Sequence, residues 1–468
     1  MKTPTQSLLL ILCLSLAISG CYKSKETPTA LSAGNLIQDS MVATPRGMMS
    51  RSHVHLIPSG HHLMIAGGHV LEVDAAENMI ADLGVRQPAK AHTAAPVTTT
   101  TSSSPASASN IIFSANTNSW VTWAYWEAAA TSSITNFSTT WIVPNQPVTD
   151  EGQILSIFDG VEDSGGTDII QPVLLWGGNG NNWMIVNFYY WNGGYDAATT
   201  AGINVDPGTS LTGTISSTSQ GTDGSYIYTC SFAGYNNSLE IEENETASTG
   251  SIIPFVTTQP WAFEALETYH STGVGVLQPS DYPAGQNFVT MGNINLSLNG
   301  QPSAAPLTTQ NGNAQFGEST VVLASPATGF PVRGVAGIPY AAGEVNIYFH
   351  PVPKINGDTI LNLSTNPNTE ETFTITGYPG SQVQVIFTAP PPSTFHPGIG
   401  VTPSGTSTIT ASLTTPGVVF SNGASAVTVE DQDVAYTVTI PSSGQITGIA
   451  EFTYTGSPIE NAVSIAVY

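Results

Sequence analysis

Positive charge is scarce in this 468-residue chain: 9 Lys and Arg stand against 33 Asp and Glu. Seven of the 9 (Lys2, Lys23, Lys25, Arg46, Arg51, Arg86 and Lys90) precede residue 91, leaving Arg333 and Lys354 for everything after. Without a basic patch there is nothing to neutralise phosphates, which argues against nucleic acid as a partner. No Lys falls between residues 91 and 353, so a Ser–Lys dyad there is excluded. Cysteine is equally sparse. Cys13 and Cys21 belong to the N-terminal region, which strands Cys230 in an alternating strand pattern with no cation near in sequence to activate it. A buried, inert thiol and no internal disulfide are expected, so stability must come from a large core. Neither a His-Glu-x-x-His pair nor a Cys/His cluster occurs, so no protein-held zinc and no cofactor is expected.

Only one long apolar run exists, Leu8 to Ile18, preceded by Lys2 and followed by Ser19-Gly20-Cys21. This is a secretory signal ending at small residues. Its final Cys resembles the bacterial lipobox, which implies that Cys21 carries a lipid and anchors the chain to a membrane. Tyr22 in place of Asp favours the outer membrane or cell surface of a bacterial envelope. No other run approaches the roughly 20 apolar residues that span a bilayer.

Charge divides the remainder. Residues 1–109 hold 7 basic and 6 acidic residues plus six His (His53, His55, His61, His62, His69 and His92), a net of +1 that acid can raise to about +7. From residue 110 onward, 27 acidic residues face two basic ones, a net of −25. Residues 1–21 are therefore assigned to the signal and lipobox Cys, and residues 22–109 to a basic, propeptide-like segment. Val54, Leu56, Leu63, Ile65, Val70, Leu71 and Val73 imply a short folded or docking piece within it. Its end, Arg86 to Asn110, is a Thr/Ser/Pro/Ala linker suited to cleavage. A basic leader held by charge and released when carboxylates protonate is the order of a zymogen.

All 8 Trp lie between Trp120 and Trp261. Over 110–352, short alternating runs such as Trp183 to Trp191 are broken by Gly, Asn, Asp and Pro, which predicts a β-sandwich. A second, Trp-free β pattern from 353 to 468 predicts a smaller Ig-like accessory sandwich. The fold class is all-β throughout.

Elimination narrows the chemistry. Asp163-Ser164-Gly165-Gly166 is similar to a trypsin nucleophile loop, but every upstream His lies in the leader, and a turn is the better reading. As an aspartic-peptidase loop it lacks a second copy to supply the paired carboxyl. Carboxylate and amide chemistry remains. Gln171 sits in Ile169-Ile170-Gln171-Pro172-Val173, and Glu264 in Trp261-Ala262-Phe263-Glu264-Ala265-Leu266-Glu267. In a strand Glu264 shares a face with Ala262 and Leu266, while Trp261, Phe263 and Glu267 take the other. A carboxyl on a partly apolar face has a raised pKa.

With Phe137 to Pro144 and Ile154-Leu155-Ser156-Ile157-Phe158-Asp159-Gly160 upstream, residues 110–352 resemble the eqolisins, the glutamic peptidases of lectin-like β-sandwich fold. The resemblance implies Gln171 and Glu264 as the catalytic dyad, with Asp159, Trp261 and Trp141 supporting substrate or site. Leu155-Ser156-Ile157 replaces the family's Trp-Val-Gly, Pro172-Val173 its Thr-Gly, and Pro260 a Glu. The family's disulfides are missing.

The expectation is an acid-active endopeptidase of protein or peptide substrates, metal-independent and insensitive to pepstatin. Two rivals stay open. One is a glycan-binding or glycan-cleaving sandwich using Trp120, Trp123, Tyr125, Trp126, Tyr189, Tyr190 and Trp191. The other is a non-catalytic surface lipoprotein. The sequence specifies no oligomeric state.

Overall fold

A computed structural model describes residues 41–86, 120–127, 134–163, 168–178, 180–220, 225–243, 261–270, 278–303, 307–312, 314–323, 344–363, 367–389, 405–455 and 463–468. Cys21, the signal and nearly all of the linker from Arg86 to Asn110 lie outside these. The described residues are all-β, as expected, with only short 3-10 turns besides strands.

In chain order the strands of the leader are β1 (Met41–Thr44), β2 (Gly47–Ser50), β3 (Val54–Leu56), β4 (His62–Ala66), β5 (His69–Val73) and β6 (Met79–Val85). The body continues with β7 (Trp120–Glu127), β8 (Ile134–Ile142), β9 (Gln153–Glu162), β10 (Ile169–Trp176), β11 (Trp183–Trp191), β12 (Asp196–Thr199) and β13 (Ile203–Val205). Then come β14 (Ser210–Gln220), β15 (Ser225–Phe232), β16 (Ser238–Glu243), β17 (Trp261–His270) and β18 (Phe288–Leu298).

Two large sheets stack. The first runs from strand Thr308–Asn311 through β7, β17, β9, β10, β11 and β12 to β3, with β13 also on β11. The second includes β18, β8, β14, β15, β16, β4, β5 and β6 in that order. Strand alternation decides what meets between them. Val161, Ile170, Tyr189 and Ala262 of the first sheet pack on Phe137, Ile215, Tyr228, Cys230 and Ile241 of the second. The larger aliphatic and Phe side chains among them, fully buried, each contribute roughly 1.5–3 kcal/mol.

The outer face of the first sheet is apolar too. Phe158, Ile169, Val173, Phe188, Tyr190, Phe263 and Ala265 cluster there, and Val42, Ala43, Met48 and Met49 of the β1–β2 hairpin pack onto them. The hairpin turn is Thr44-Pro45-Arg46-Gly47, with Pro at the second position and Gly at the fourth. Gly47 has φ +94°, and a Cβ there would meet the Tyr269 ring at 2.6 Å, so only glycine seats the hairpin this closely.

Residues 41–86 join the body by strand pairing. β3 joins the edge of the first sheet by parallel pairing with β12, and β4 joins the second by parallel pairing with β16. Val54, Ile57, Leu63, Ile65, Val70 and Val73 are buried. Two buried ion pairs secure the segment's end: Arg86 donates to Asp168 at 2.6 and 2.9 Å and to Glu243 at 3.4 Å. Residues 354–468 close five strands on four around their own core of Phe373, Ile375, Val385, Phe387, Ile409 and Phe452.

Candidate active site

The first sheet carries the candidate residues on three adjacent strands, β17, β9 and β10. Register assigns each to a face, because directly opposed residues in an antiparallel pair point the same way. Glu264 on β17 opposes Asp159 on β9. Gln171 on β10 opposes Phe188 on β11. Val173 opposes Phe158 and Ile170 opposes Val161, which sets Gln171 across from Gly160 and Pro172 across from Asp159.

Glu264 and Asp159 therefore face inward, into the space between the sheets, and Gln171 faces outward. The expected pairing of Gln171 with Glu264 is not what these strands build. The physical reason is the odd-residue phase of β10: the position level with Asp159 and Glu264 is held by Pro172.

Inward, Glu264 and Asp159 are both fully buried. Burial first, and then the neighbouring Asp159 charge, pushes the Glu264 carboxyl well above its ordinary value. Burial raises Asp159 as well. Thr139 of β8 donates a short hydrogen bond to Glu264 Oε1. Neither oxygen of Asp159 has a protein hydrogen-bond partner. Trp141, expected near substrate, belongs to this inner core, edge-on to Phe232 with ring centroids 5.9 Å apart.

Outward, a second carboxyl–amide pair appears. Glu162 at the end of β9 opposes Trp261 of β17 and Ile169 of β10, two residues from Gln171 along one face. Glu162 and Gln171 are 4% and 1% exposed, so both are shielded from solvent. Burial drives the Glu162 carboxyl up to about 8; Arg46 pulls it down, while Asp163, Asp168 and Glu267 push it further up. Gln171 Oε1 is buried without a hydrogen-bond partner. Between the strands Gly160 has no side chain, and Phe263 fills the room: a Cβ on Gly160 would meet its ring at 2.4 Å. Trp261, half-buried, stacks on Tyr125 at 5.6 Å.

The leader hairpin lies over this outer face. Arg46 sits 5.2 Å above the Tyr190 ring and donates to Gly193 O at 2.9 Å. Gly194, at φ +86°, leaves room beside the guanidinium, where a Cβ would stand 2.1 Å from Arg46 Nη1 and displace it. Sequence reasoning passed over Glu162 and Arg46. The signal for Glu162 was available in the alternation Phe158-Gly160-Glu162, which sets it opposite in phase to Asp159.

Of the aromatics considered for glycan stacking, Trp120, Trp123 and Tyr190 are buried in the outer-face cluster, and Tyr189 and Trp191 lie between the sheets. Asp163 follows β9 and Asp168 precedes β10; the Asp163 N–H donates to Asp168 O at 3.2 Å and the Asp168 N–H to Asp163 Oδ1 at 3.1 Å. Residues 164–167 lie outside the described set.

No family model matches the sequence, and no curated protein matches it. Among solved structures, the chain is similar to Scytalido-glutamic peptidase in complex with a peptide-based transition state analog. That match has a TM-score of 0.32 and 14% identity, over 49% of this chain and 98% of that one. It is also similar to SCP-B, a member of the eqolisin family of peptidases in a complex with the tripeptide Ala-Ile-His. There the TM-score is 0.30 and the identity 15%, over 49% of this chain and 98% of that one. Overlap at that level carries no weight for the chemistry of this chain.

Proposed function

We propose that the protein is an acid-active endopeptidase whose carboxyl and amide stand on the outer face of the first sheet, Glu162 with Gln171. The observation that carries this is one buried carboxyl raised to about 8 beside a buried, unpaired amide oxygen, both beneath the leader hairpin. Once the hairpin leaves, substrate and water reach the pair. Water reaching Glu162 removes the burial that raised its pKa, so the carboxyl ionises in mild acid and takes a proton from water, whose oxygen attacks the scissile carbonyl. The Gln171 NH₂ donates to the oxyanion that forms, a contact worth roughly 3–4 kcal/mol elsewhere. Protonated Glu162 then passes its proton to the leaving amine, and the C–N bond breaks. Trp261 and Tyr125 line the approach as a platform for a substrate side chain.

Acid suits this design for a further reason. Asp159, Glu162 and Glu264 are all buried with raised pKa values, so the fold loses nothing when they are neutral. The test is a protein-digestion assay across roughly pH 2–8, with pepstatin and chelator arms, comparing parent with Glu162→Gln and Gln171→Glu. Activity in acid that pepstatin leaves intact and Glu162→Gln abolishes is expected. An inert chain at every pH that binds glycans would defeat the proposal.

A second reading keeps Glu264 as the catalytic carboxyl, in concert with Asp159. It is favoured by one observation, that the two oppose each other and compete for protons, as carboxyl pairs in hydrolases do. It requires the sheets to part, and Glu264→Gln distinguishes it.

The zymogen and anchor belong to the same proposal. The leader is released by cleavage within the Arg86 to Asn110 linker, read by mass spectrometry of the N-terminus after incubation near about pH 4. The lipid on Cys21 holds the protein at a bacterial envelope, and Cys21→Ala is expected to move it to the soluble fraction.

A further inference from the structure

The geometry points to a divalent transition-metal site, of the zinc class, formed by His62, Glu77 and Glu242 where the leader meets the body. It is distinct from the outer-face pair and independent of peptide hydrolysis. His62 opens β4, and Glu242 lies on β16, whose parallel register sets Glu242 beside Met64. Glu77 comes from the turn between β5 and β6.

His62 stands within ion-pair distance of two carboxylates at once, too far from either for a hydrogen bond. His62 Nε2 stands 3.6 Å from Glu77 Oε2 and 3.6 Å from Glu242 Oε2, and the three atoms lie within 4.8 Å of one another. At 3.6 Å there is no hydrogen bond. Ligand atoms about 2.0–2.2 Å from a tetrahedral zinc stand roughly 3.3–3.6 Å apart, which is the spacing found from His62 to each carboxylate. Other leader histidines behave differently. His61 is 2.6 Å from Glu72, His53 is 2.8 Å from Asp196, and His69 is 3.1 Å from Asp82, each in direct hydrogen-bond contact. His62 alone of these faces two carboxylates and bonds neither.

The backbone supports the convergence. Glu77 adopts φ 61°, the left-handed region that a non-glycine residue enters at a cost. Asp74 holds the turn there, accepting from the backbone N–H of Ala76 and of Asn78 at 2.9 Å each. One imidazole and two carboxylates suit zinc, with a fourth position for water. Two of the three ligands come from the leader and one from the body, so a bound ion staples the segments together. Spacing along the chain could not reveal it, because Glu242 is distant from the other two in sequence.

The full-length chain, stripped with chelator and exchanged to about pH 7.5, above the ordinary histidine pKa, is titrated with Zn²⁺ by calorimetry and with Co²⁺ by visible absorption. One Zn²⁺ per chain at micromolar affinity or better is expected, with Co²⁺ giving d–d bands that Zn²⁺ abolishes. Glu77→Gln, at an exposed position, and Glu242→Gln should each weaken binding by about tenfold or more. His53→Ala should leave it unchanged. Zn²⁺ should raise the Tm of the parent and not of the two Gln variants. Failure to bind Zn²⁺, or equal affinity in the parent and both Gln variants, overturns the proposal.

Discussion

Glu162 and Gln171 project from neighbouring strands onto one face, with Ile169 opposing Glu162 and the bare Gly160 opposing Gln171. Their separation by a single step of alternation, under one hairpin, defines the chemistry to be tested.

Exchange of carboxyl for amide separates the two faces. Glu162→Gln should lower peptide cleavage by about a hundredfold or more, and Gln171→Glu, which adds negative charge where an oxyanion forms, by a similar factor. Glu264→Gln should retain most activity. Assays on acid-processed protein with circular dichroism on the same samples check both points. Loss confined to Glu264→Gln transfers the role to the inner pair.

Arg46 should act as a latch. A cation over an aromatic ring contributes about 0.5–2 kcal/mol, so Arg46→Gln should raise leader release severalfold without altering the processed enzyme. Time courses of N-terminal processing, followed by gel and mass spectrometry, decide it. Unchanged release in Arg46→Gln counts against the latch.

Stability should fall as pH rises. The folded Glu162 carboxyl titrates near 8 and the unfolded one near 4.5, so the folded state holds an extra proton between those values. Folding is then favoured on the acid side and loses a few kcal/mol on passing from about pH 4.5 to 8. Glu162→Gln should flatten the Tm profile in that window. A parent profile that climbs through the window would contradict the assignment.

His350 works in the opposite sense. Burial lowers its pKa from 6.5 to about 4, and its ring stacks on Tyr378 at 4.0 Å. Because the unfolded imidazole protonates first, its contribution is present above pH 6.5 and is lost as pH falls towards 4, up to about 3 kcal/mol. His350→Phe should remove this loss, leaving a Tm less sensitive to acid, measurable by calorimetry from about pH 4 to 7.

Much of the fold was legible because strand alternation is local. The division of β17 into Ala262, Glu264 and Leu266 on one face and Trp261, Phe263 and Glu267 on the other followed from the residues alone, and register bears it out. The phase of β10 against β9 was not legible. It depends on the chain between Asp163 and Asp168, and one residue of slip exchanges every side chain between faces. Gln171 and Glu264 are each plausible singly, but nothing in their separate segments states that Pro172 takes the level of Asp159. Leader docking was legible as apolar content at Val54, Leu63, Ile65 and Val70, and illegible as strand pairing, since the partners β12 and β16 lie far along the chain.

Both leader–body junctions are parallel strand pairings at sheet margins, β3 on β12 and β4 on β16. Removing the leader therefore uncovers two rows of unpaired backbone N–H and C=O groups at once. Such rows recruit strands from other molecules. Residues 120–468 produced alone should consequently self-associate, as sedimentation would reveal, and residues 41–86 supplied as a separate chain should return them to monomers. On the proposed function, residues 41–86 would then serve as an intramolecular chaperone for the margins as well as a cover for the face.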